Sequence, residues 1–339
     1  MRITIKEIAN KLNVHHSTVS RALRMDPRVK PETGDRIRQY AKENGYYINQ
    51  NALRLRGSVR NTIAMIVPEI NHRFFSSIIN YITDLAYENN YVISIYQSNN
   101  DYAQECSIIE KVIQQDVAGV IASVSGNTYS GEYYNELKRL QIPLVFFDRL
   151  LGDVDTPCVT TNNREVIEIL VDDLVGMGCK RIAHVSGPDH ISVFHDRNQG
   201  YRNAISKIKP SYFREHIVHD LVTVQSGSLA AGELFASRPY PDAVISTAFF
   251  LTIGVMAYLH EHSIRVSKDV VVAGFGDRLF NSLLHPSIIS VEQPEQEVAE
   301  AAFRLLLQQI SREDDAGKNQ TSQVQLKSAI IHPITQLNK

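Results

Sequence analysis

No stretch of this 339-residue chain stays apolar for long enough to span a bilayer, so no membrane segment is expected. Cysteine is scarce: Cys106, Cys158 and Cys179 are odd in number and far apart. That spacing argues against a disulfide framework and a zinc cluster, and points to a reducing compartment. The opening MRITIKEIAN is charged early and has no long apolar core, so no secretory signal is expected and the cytoplasm is the expected location. Enzyme signatures are missing as well. There is no phosphate-binding loop, no GxSxG and no HExxH, and GFGDRL lacks the third glycine of a dinucleotide fingerprint. His260-Glu261-His262 has the wrong spacing for a helical metal pair and reads as a solvated helix end. A sugar kinase or dehydrogenase is disfavoured, and no catalytic residue, cofactor or metal is expected.

A hydrophobic fraction of 43% with 21% charged residues is that of a globular chain, and the length suits two or three domains. The net charge of −2 conceals an asymmetry. Residues 1–60 hold thirteen Lys and Arg against five Asp and Glu, a surplus of eight, which leaves −10 for the remainder. A small basic head on an acidic body suggests a polyanion-binding module joined to something else; a merely solvated basic surface is the plainer alternative.

The head reads as three short helices. Thr4-Ile5-Lys6-Glu7 forms a capping box, and Ile5, Ile8, Ala9 and Leu12 follow at helical spacing. Asn13 suits a left-handed helix end. A second helix is expected from about His16 to Arg24, with Val19, Ala22 and Leu23 inward. A third starts at Pro31 and ends by Gly45. A tight turn between the first two makes a helix-turn-helix. Its outward face carries His16, Ser17, Ser20 and Arg21, and hydroxyls and an arginine fit phosphates and base edges. A metal site is poorly supported, because adjacent histidines on a helix point about 100° apart. A catalytic site would need a pocket that so small a bundle does not enclose. Residues 49–56, NQNALRLR, are too few for a stable isolated helix and precede a Gly57-Ser58 joint.

From residue 61 onward, apolar runs alternate with helical patterns. TIAMIV, YVISIY, AGVIA and PLVFF form one series; RIAHVS, DAVIS and VVVAGF form another. The pattern predicts two open α/β lobes with buried parallel sheets. Ligands of such sheets sit beyond the carboxyl ends of the strands. There the sequence places Asn71-His72-Arg73-Phe74-Phe75, Asp148-Arg149, a loop ending at Arg197, then Phe249, and Gly276-Asp277. Aromatic faces, a carboxylate and arginines suit a sugar or a flat base. The alternatives are that Phe74 is a core residue and that Asp148–Arg149 is an ion pair stabilising a lobe.

Several of these pieces together resemble one family. TIKEIANKLNVHHSTVSRAL is similar to the DNA-binding head of the lac repressor/galactose repressor family, GYYINQNALRLRG to its hinge, and NTIAMIVPEINHRFFSSI to the start of its effector-binding core. FFDR, GCKRIAHVSGP, RNQGYRNAI, PDAVIST, DVVVAGFGD and PSIISVEQP continue the likeness in order. The resemblance implies a helix-turn-helix domain at 1–48, a hinge at 49–60, and at 61–339 a two-lobed, periplasmic-binding-protein-like core with three crossovers. It implies base contacts from His16, Ser17 and Arg21 and backbone contacts from Thr18 and Ser20. His15, which stands where the family usually has a capping serine, and Thr4 complete the set expected on the head. In the hinge, Asn49, Ala52 and Arg56 are expected at the DNA, with Leu55 wedged into the minor groove. Ile48 and Leu53 replace the family's usual proline and arginine.

For the core the resemblance puts Phe74, Phe75, Asp148 and Arg197 at effector positions; Arg149, Phe249 and Asp277 are added from the strand ends. The family often has aspartates where Phe249 and Gly276 stand, so two hydroxyl acceptors are lost. The implied function is a ligand-responsive transcription regulator, a repressor, binding a palindromic operator as a homodimer with a sugar or sugar derivative as effector. A cytoplasmic, nucleoid-associated location follows. A stand-alone solute-binding protein would explain the body, but it predicts an export signal and leaves the basic head unexplained.

Overall fold

The structure is a computed structural model that describes residues 3–23, 25–46, 60–208, 213–219, 222–276, 288–312 and 322–332. It divides into two compact units, Met1–Arg60 and Asn61–Lys339.

In the first unit, α1 (Ile5–Leu12), α2 (His16–Leu23) and α3 (Pro31–Glu43) close around Ile8, Val19, Ala22 and Ile37, all fully buried. The capping box forms as its sequence requires: the Glu7 amide donates to Thr4 Oγ1 at 3.3 Å, and the Thr4 amide donates to Glu7 Oε2 at 2.7 Å. Asn13 ends α1 at φ 54°, left-handed, which turns the chain sharply into α2. α3 begins with Pro31, but its N-cap, Lys30, supplies no side-chain bond.

In the second unit, six strands make one sheet: β1 (Thr62–Val67), β2 (Val92–Gln97), β3 (Gly119–Ala122), β4 (Leu144–Phe147), β5 (Cys158–Thr161) and β11 (Gln323–Leu326). Their order is β11-β5-β4-β3-β1-β2, parallel throughout. The second sheet is built from β6 (Ile182–Ser186), β7 (Phe213–Ile217), β8 (Ala243–Ser246), β9 (Val271–Phe275), β10 (Ile289–Glu292) and β12 (Ala329–Ile331). Its order is β12-β10-β9-β8-β6-β7, parallel except where β12 pairs antiparallel with β10.

Helices cover both faces. α4 (Arg73–Glu88) and α11 (Glu295–Arg312) pack on one side of the first sheet, with α5 (Tyr102–Gln114) and α6 (Glu132–Arg139) on the other. α7 (Asn163–Gly176) and α8 (Ser192–Ile208) cover one side of the second, with α9 (Val224–Leu234) and α10 (Phe249–Glu261) on the other. α9 and α10 touch backbone to backbone. A Cβ on Gly254 would lie 2.1 Å from the Val224 carbonyl, and one on Gly227 would lie 2.5 Å from that of Leu251. Only glycine permits that approach.

The chain passes between lobes three times: from β5 to α7, from β10 to α11, and from β11 to β12. Asn162 binds two of these passages together. Its amide donates to the Leu326 carbonyl at 2.9 Å, and its Oδ1 accepts from the Ser328 amide at 2.8 Å.

Candidate DNA-facing groove and ligand cleft

Within the head, α1, α2 and the turn after α2 form a groove of about 410 Å³ walled by Ile5, Lys6, His16, Ser17, Ser20, Arg21, Asp26 and Arg28. α2 presents this face because Val19 and Ala22 are spent on the core. His16 and Arg21 are exposed, Ser17, Thr18 and Ser20 half-buried. Thr4 and Glu7 are engaged in the cap. His15 is not on the helix; it caps it. Its Nδ1 accepts from the Ser17 amide at 3.3 Å and pairs with Ser17 Oγ at 2.8 Å. The two imidazoles, expected to diverge, approach to 4.1 Å between centroids for that reason.

Lys6 and Arg28 carry no sequence signal beyond the basic surplus of the head. Arg28 grips Asp26 through Nε–Oδ1 at 2.9 Å and Nη2–Oδ2 at 2.6 Å. Those bonds hold the Asp26 carboxyl well below its ordinary range. Asn49, Ala52, Leu55 and Arg56 lie outside the described residues.

Within the core, the carboxyl ends of strands from both lobes surround a cavity of about 610 Å³. Phe74, Phe75, Asp148, Arg149, Arg197 and Phe249 all line it. Asp277 lies outside the described residues. Phe74 and Phe75 serve both purposes, since they line the cavity and belong to the buried core of the first lobe. Asp148, at the end of β4, sits at φ 59°, a left-handed conformation that costs a non-glycine residue energy. Burial raises its pKa against the pull of Arg149 and Arg197.

Arg197 is not at the end of a loop. It lies in the second turn of α8, only 5% exposed. Its Nε donates to Asn163 Oδ1 at 2.8 Å and its Nη1 to the Thr247 carbonyl at 2.6 Å. Desolvation lowers its pKa to about 10. Arg149 Nη1 donates to Asn100 Oδ1 at 2.7 Å, while its Nε is enclosed without a partner.

The cavity also gathers His72, Asn100, Gly126, His190, Phe250, Phe275 and Gln293. His72 falls within the stretch read after β1, and Phe250 adjoins Phe249. His190 and Asn100 carried no sequence signal, being polar residues in ordinary loops. Burial, then the charges of Arg149 and Arg197, lower the His72 pKa to about 4, so the ring is neutral near pH 7. It meets Phe75 and Phe250 edge-on, at 5.6 and 5.4 Å between centroids.

Comparison with known proteins agrees with this division. Residues 4–49 match the bacterial regulatory proteins of the lacI family, and residues 171–330 a periplasmic binding protein-like domain. Catabolite control protein A of Priestia megaterium is 27% identical over 314 residues, 92% of this chain and 94% of that protein. The HTH-type transcriptional repressor CytR of Escherichia coli (strain K12) is 27% identical over 307 residues, 91% of this chain and 89% of that protein. Among solved structures, the Lac repressor dimer bound to operator and the anti-inducer ONPF superposes with a TM-score of 0.84 at 18% identity, covering 98% of both chains. Transcription regulator CcpA of Lactococcus lactis gives 0.70 at 20% identity, covering 81% of this chain and 98% of that one. These relatives are regulators and not enzymes. With a helix-turn-helix head of that pattern and a two-lobed core of that fold, the chain belongs to the lacI family of bacterial regulatory proteins and is a DNA-binding transcription regulator.

Proposed function

We propose that this regulator is a repressor that binds a palindromic operator as a homodimer and responds to a small-molecule effector held in the cleft of its core. The observation that carries the DNA half is the head groove, where Arg21, Ser17 and His16 stand together on the exposed side of α2. An arginine there can grip a guanine edge with two parallel bonds, and hydroxyls can fix the phosphates. The likeness to CytR, a transcriptional repressor, supports repression, and the likeness to a Lac repressor dimer bound to operator supports a dimeric DNA complex. Two heads on one dimer fit two half-sites. Residues 1–48 are assigned to the DNA, 49–60 to a hinge that completes the DNA surface through Asn49, Ala52, Leu55 and Arg56, and 61–339 to effector binding and dimerisation. Such a protein works in the cytoplasm, at the nucleoid.

Effector binding changes lobe geometry and thereby operator affinity, and by linkage the operator changes effector affinity by the same factor, typically worth about 1–3 kcal/mol. The resemblance implies a sugar. Phe74, Phe75, Asp148, Arg149, Arg197 and Phe249 are the residues proposed to meet the effector, with Asp277 beside them. The test of the DNA half is Arg21→Ala. Operator affinity should fall by about 1–3 kcal/mol and one base preference should relax, while affinity for random DNA falls far less. An equal loss on both would reduce Arg21 to a phosphate contact.

A further inference from the structure

The head groove holds a second guanidinium fork beside that of Arg21. α2 ends where Met25 takes a left-handed φ of 57°, and the Asp26 amide then donates to the Arg21 carbonyl at 3.1 Å. Residue 26 is thereby tied to the turn of α2 that presents Arg21. Pro27 fixes the next dihedral. The Arg28 amide donates to Asp26 Oδ1 at 3.0 Å, and the Val29 amide to the Asp26 carbonyl at 3.0 Å. Val29 packs against the head core, so the backbone of Arg28 is held from both sides.

The side chain is held as well. Arg28 Nε donates to Asp26 Oδ1 at 2.9 Å and to Oδ2 at 3.2 Å, and Nη2 donates to Oδ2 at 2.6 Å. The carboxylate therefore covers one edge of the guanidinium, made by Nε and one Nη2 hydrogen. A guanidinium has five N–H donors in a fixed plane. The end that remains carries an Nη1–H and the second Nη2–H, side by side. That pair of donors matches O6 and N7 of guanine in the major groove. None of the bonds that Arg28 makes among the described residues uses Nη1. The Arg28 side chain is 72% exposed and that of Asp26 only 17%, so solvent meets the fork and not the carboxylate.

Both residues wall the groove together with Arg21, Ser17 and His16. An exposed arginine–carboxylate pair adds little to stability. Arg265 and Asp269, in the second unit and not among the walls of this groove, make a similar grip, so the grip alone does not mark a reading residue. Its place beside Arg21 does. The pair is neutral overall and has little to give a phosphate by charge, whereas its free donors keep their direction and suit a base edge.

Building on the reading that this groove faces DNA, we infer that Arg28 is a second base-reading residue, taking a guanine edge through Nη1 and Nη2, and that Asp26 is its positioning residue. The experiment uses the full chain. Sites are selected from a pool of random duplex oligonucleotides. Fluorescence anisotropy then compares the selected duplex, its single-base variants and a random duplex at one salt concentration. Arg28→Lys keeps the charge and loses the fork. It should relax the preference for one G·C pair in each half-site about fivefold or more, at a different pair from that relaxed by Arg21→Ala, and leave the random duplex within about twofold. Asp26→Asn keeps an oxygen for the Arg28 amide but removes the charge and one acceptor. It should relax the same pair, while affinity for the random duplex holds or rises because a repelling charge has gone. A role confined to folding would move both duplexes the same way. Should Asp26→Asn disturb the turn, Arg28→Lys carries the comparison, since it leaves Asp26 in place. Unchanged preferences in Arg28→Lys, or an equal loss on selected and random duplexes, would overturn base reading by Arg28. Relaxation in Arg28→Lys but not in Asp26→Asn would overturn the positioning by Asp26. If Arg21→Ala relaxes its own pair and Arg28→Lys relaxes none, the groove still faces DNA and only this inference fails. If the chain selects no sequence and neither arginine affects any preference, the groove reading falls as well.

Discussion

The guanidinium of Arg197 lies 3.5 Å from the centroid of the Phe275 ring, so an arginine that lines the cleft is also a packed member of its lobe. Stacking on Phe275 and the bonds to Asn163 and Thr247 join α8 to the start of α7 and to the loop after β8. Arg197→Ala would leave the Thr247 carbonyl and the Asn163 amide oxygen without this donor. The expected loss is about 3 kcal/mol of unfolding free energy, read from urea titrations, and Arg197→Lys should recover only part of it because an ammonium cannot reproduce the fork. An unchanged midpoint in Arg197→Ala would make the residue a ligand contact without a structural part.

That dual role was the least legible feature in the sequence. Strands such as TIAMIV and VVVAGF declare themselves because they are buried on both faces, and α4 and α5 show ordinary apolar spacing. α8 does not, since it buries Arg197, Asn198 and Gly200 beside its apolar residues, and a helix that buries polar groups loses the periodicity by which it is recognised. Cavity residues at strand ends could be found because topology puts ligands there. Asn100, Gly126 and His190 could not, because their part depends on contacts between distant loops.

The head carries one weak cap and one absent cap, and both can be changed. His15 caps α2 through Nδ1 alone, whereas Lys30 gives α3 no side-chain bond. His15→Ala should lower head stability by about 1 kcal/mol and Lys30→Ser should raise it by about the same amount, read from amide exchange across residues 5–46. No gain from Lys30→Ser would show that α3 is held by its packing and not by its first turn.

Stability should fall in mild acid because of two enclosed histidines. His184 is fully buried on β6, stacked on Tyr201 at 4.3 Å, and burial lowers its pKa from 6.5 to about 4; His72 is lowered to about 4 as well. Above about pH 6.5 both states are neutral and nothing is lost. Between about pH 6.5 and pH 4 the unfolded chain takes up protons that the folded chain refuses, so stability drops, by up to about 3 kcal/mol for His184. Glu105 acts in the opposite sense, since burial raises its pKa and the cost of its charge is relieved in acid, offsetting part of the loss. Urea titrations at about pH 7.5 and about pH 4.5 should show a smaller acid loss in His184→Phe than in the wild type. Equal losses would place the acid sensitivity elsewhere.

The mouth of the cleft is bridged by His190, whose Nε2 donates to the Gly126 carbonyl at 2.6 Å while its ring lies 4.7 Å from that of Tyr129. His190 belongs to the second lobe, Gly126 and Tyr129 to the first. Each side is anchored. Asp189, the preceding residue, accepts from Asn198 at 2.8 Å and from Arg202 at 3.1 Å, and the Gly126 amide donates to Asn100 at 3.2 Å. Asn100 Oδ1 also accepts from Arg149 Nη1, so one side-chain oxygen serves both the anchor of the bridge and a residue proposed to meet the effector. His190→Ala removes the bridge without touching that floor. Amide exchange over residues 123–129 should then quicken about fivefold, the effect of one hydrogen bond of about 1 kcal/mol, while exchange in β1 and β3 stays unchanged. Asn100→Ala should quicken the same segment further, since it loosens the carbonyl that His190 holds. Unaltered exchange in His190→Ala would mean that the lobes meet there without holding each other, and closure of the cleft would then rest on Leu150 and Ser192, where the amide of one donates to the hydroxyl of the other at 3.0 Å.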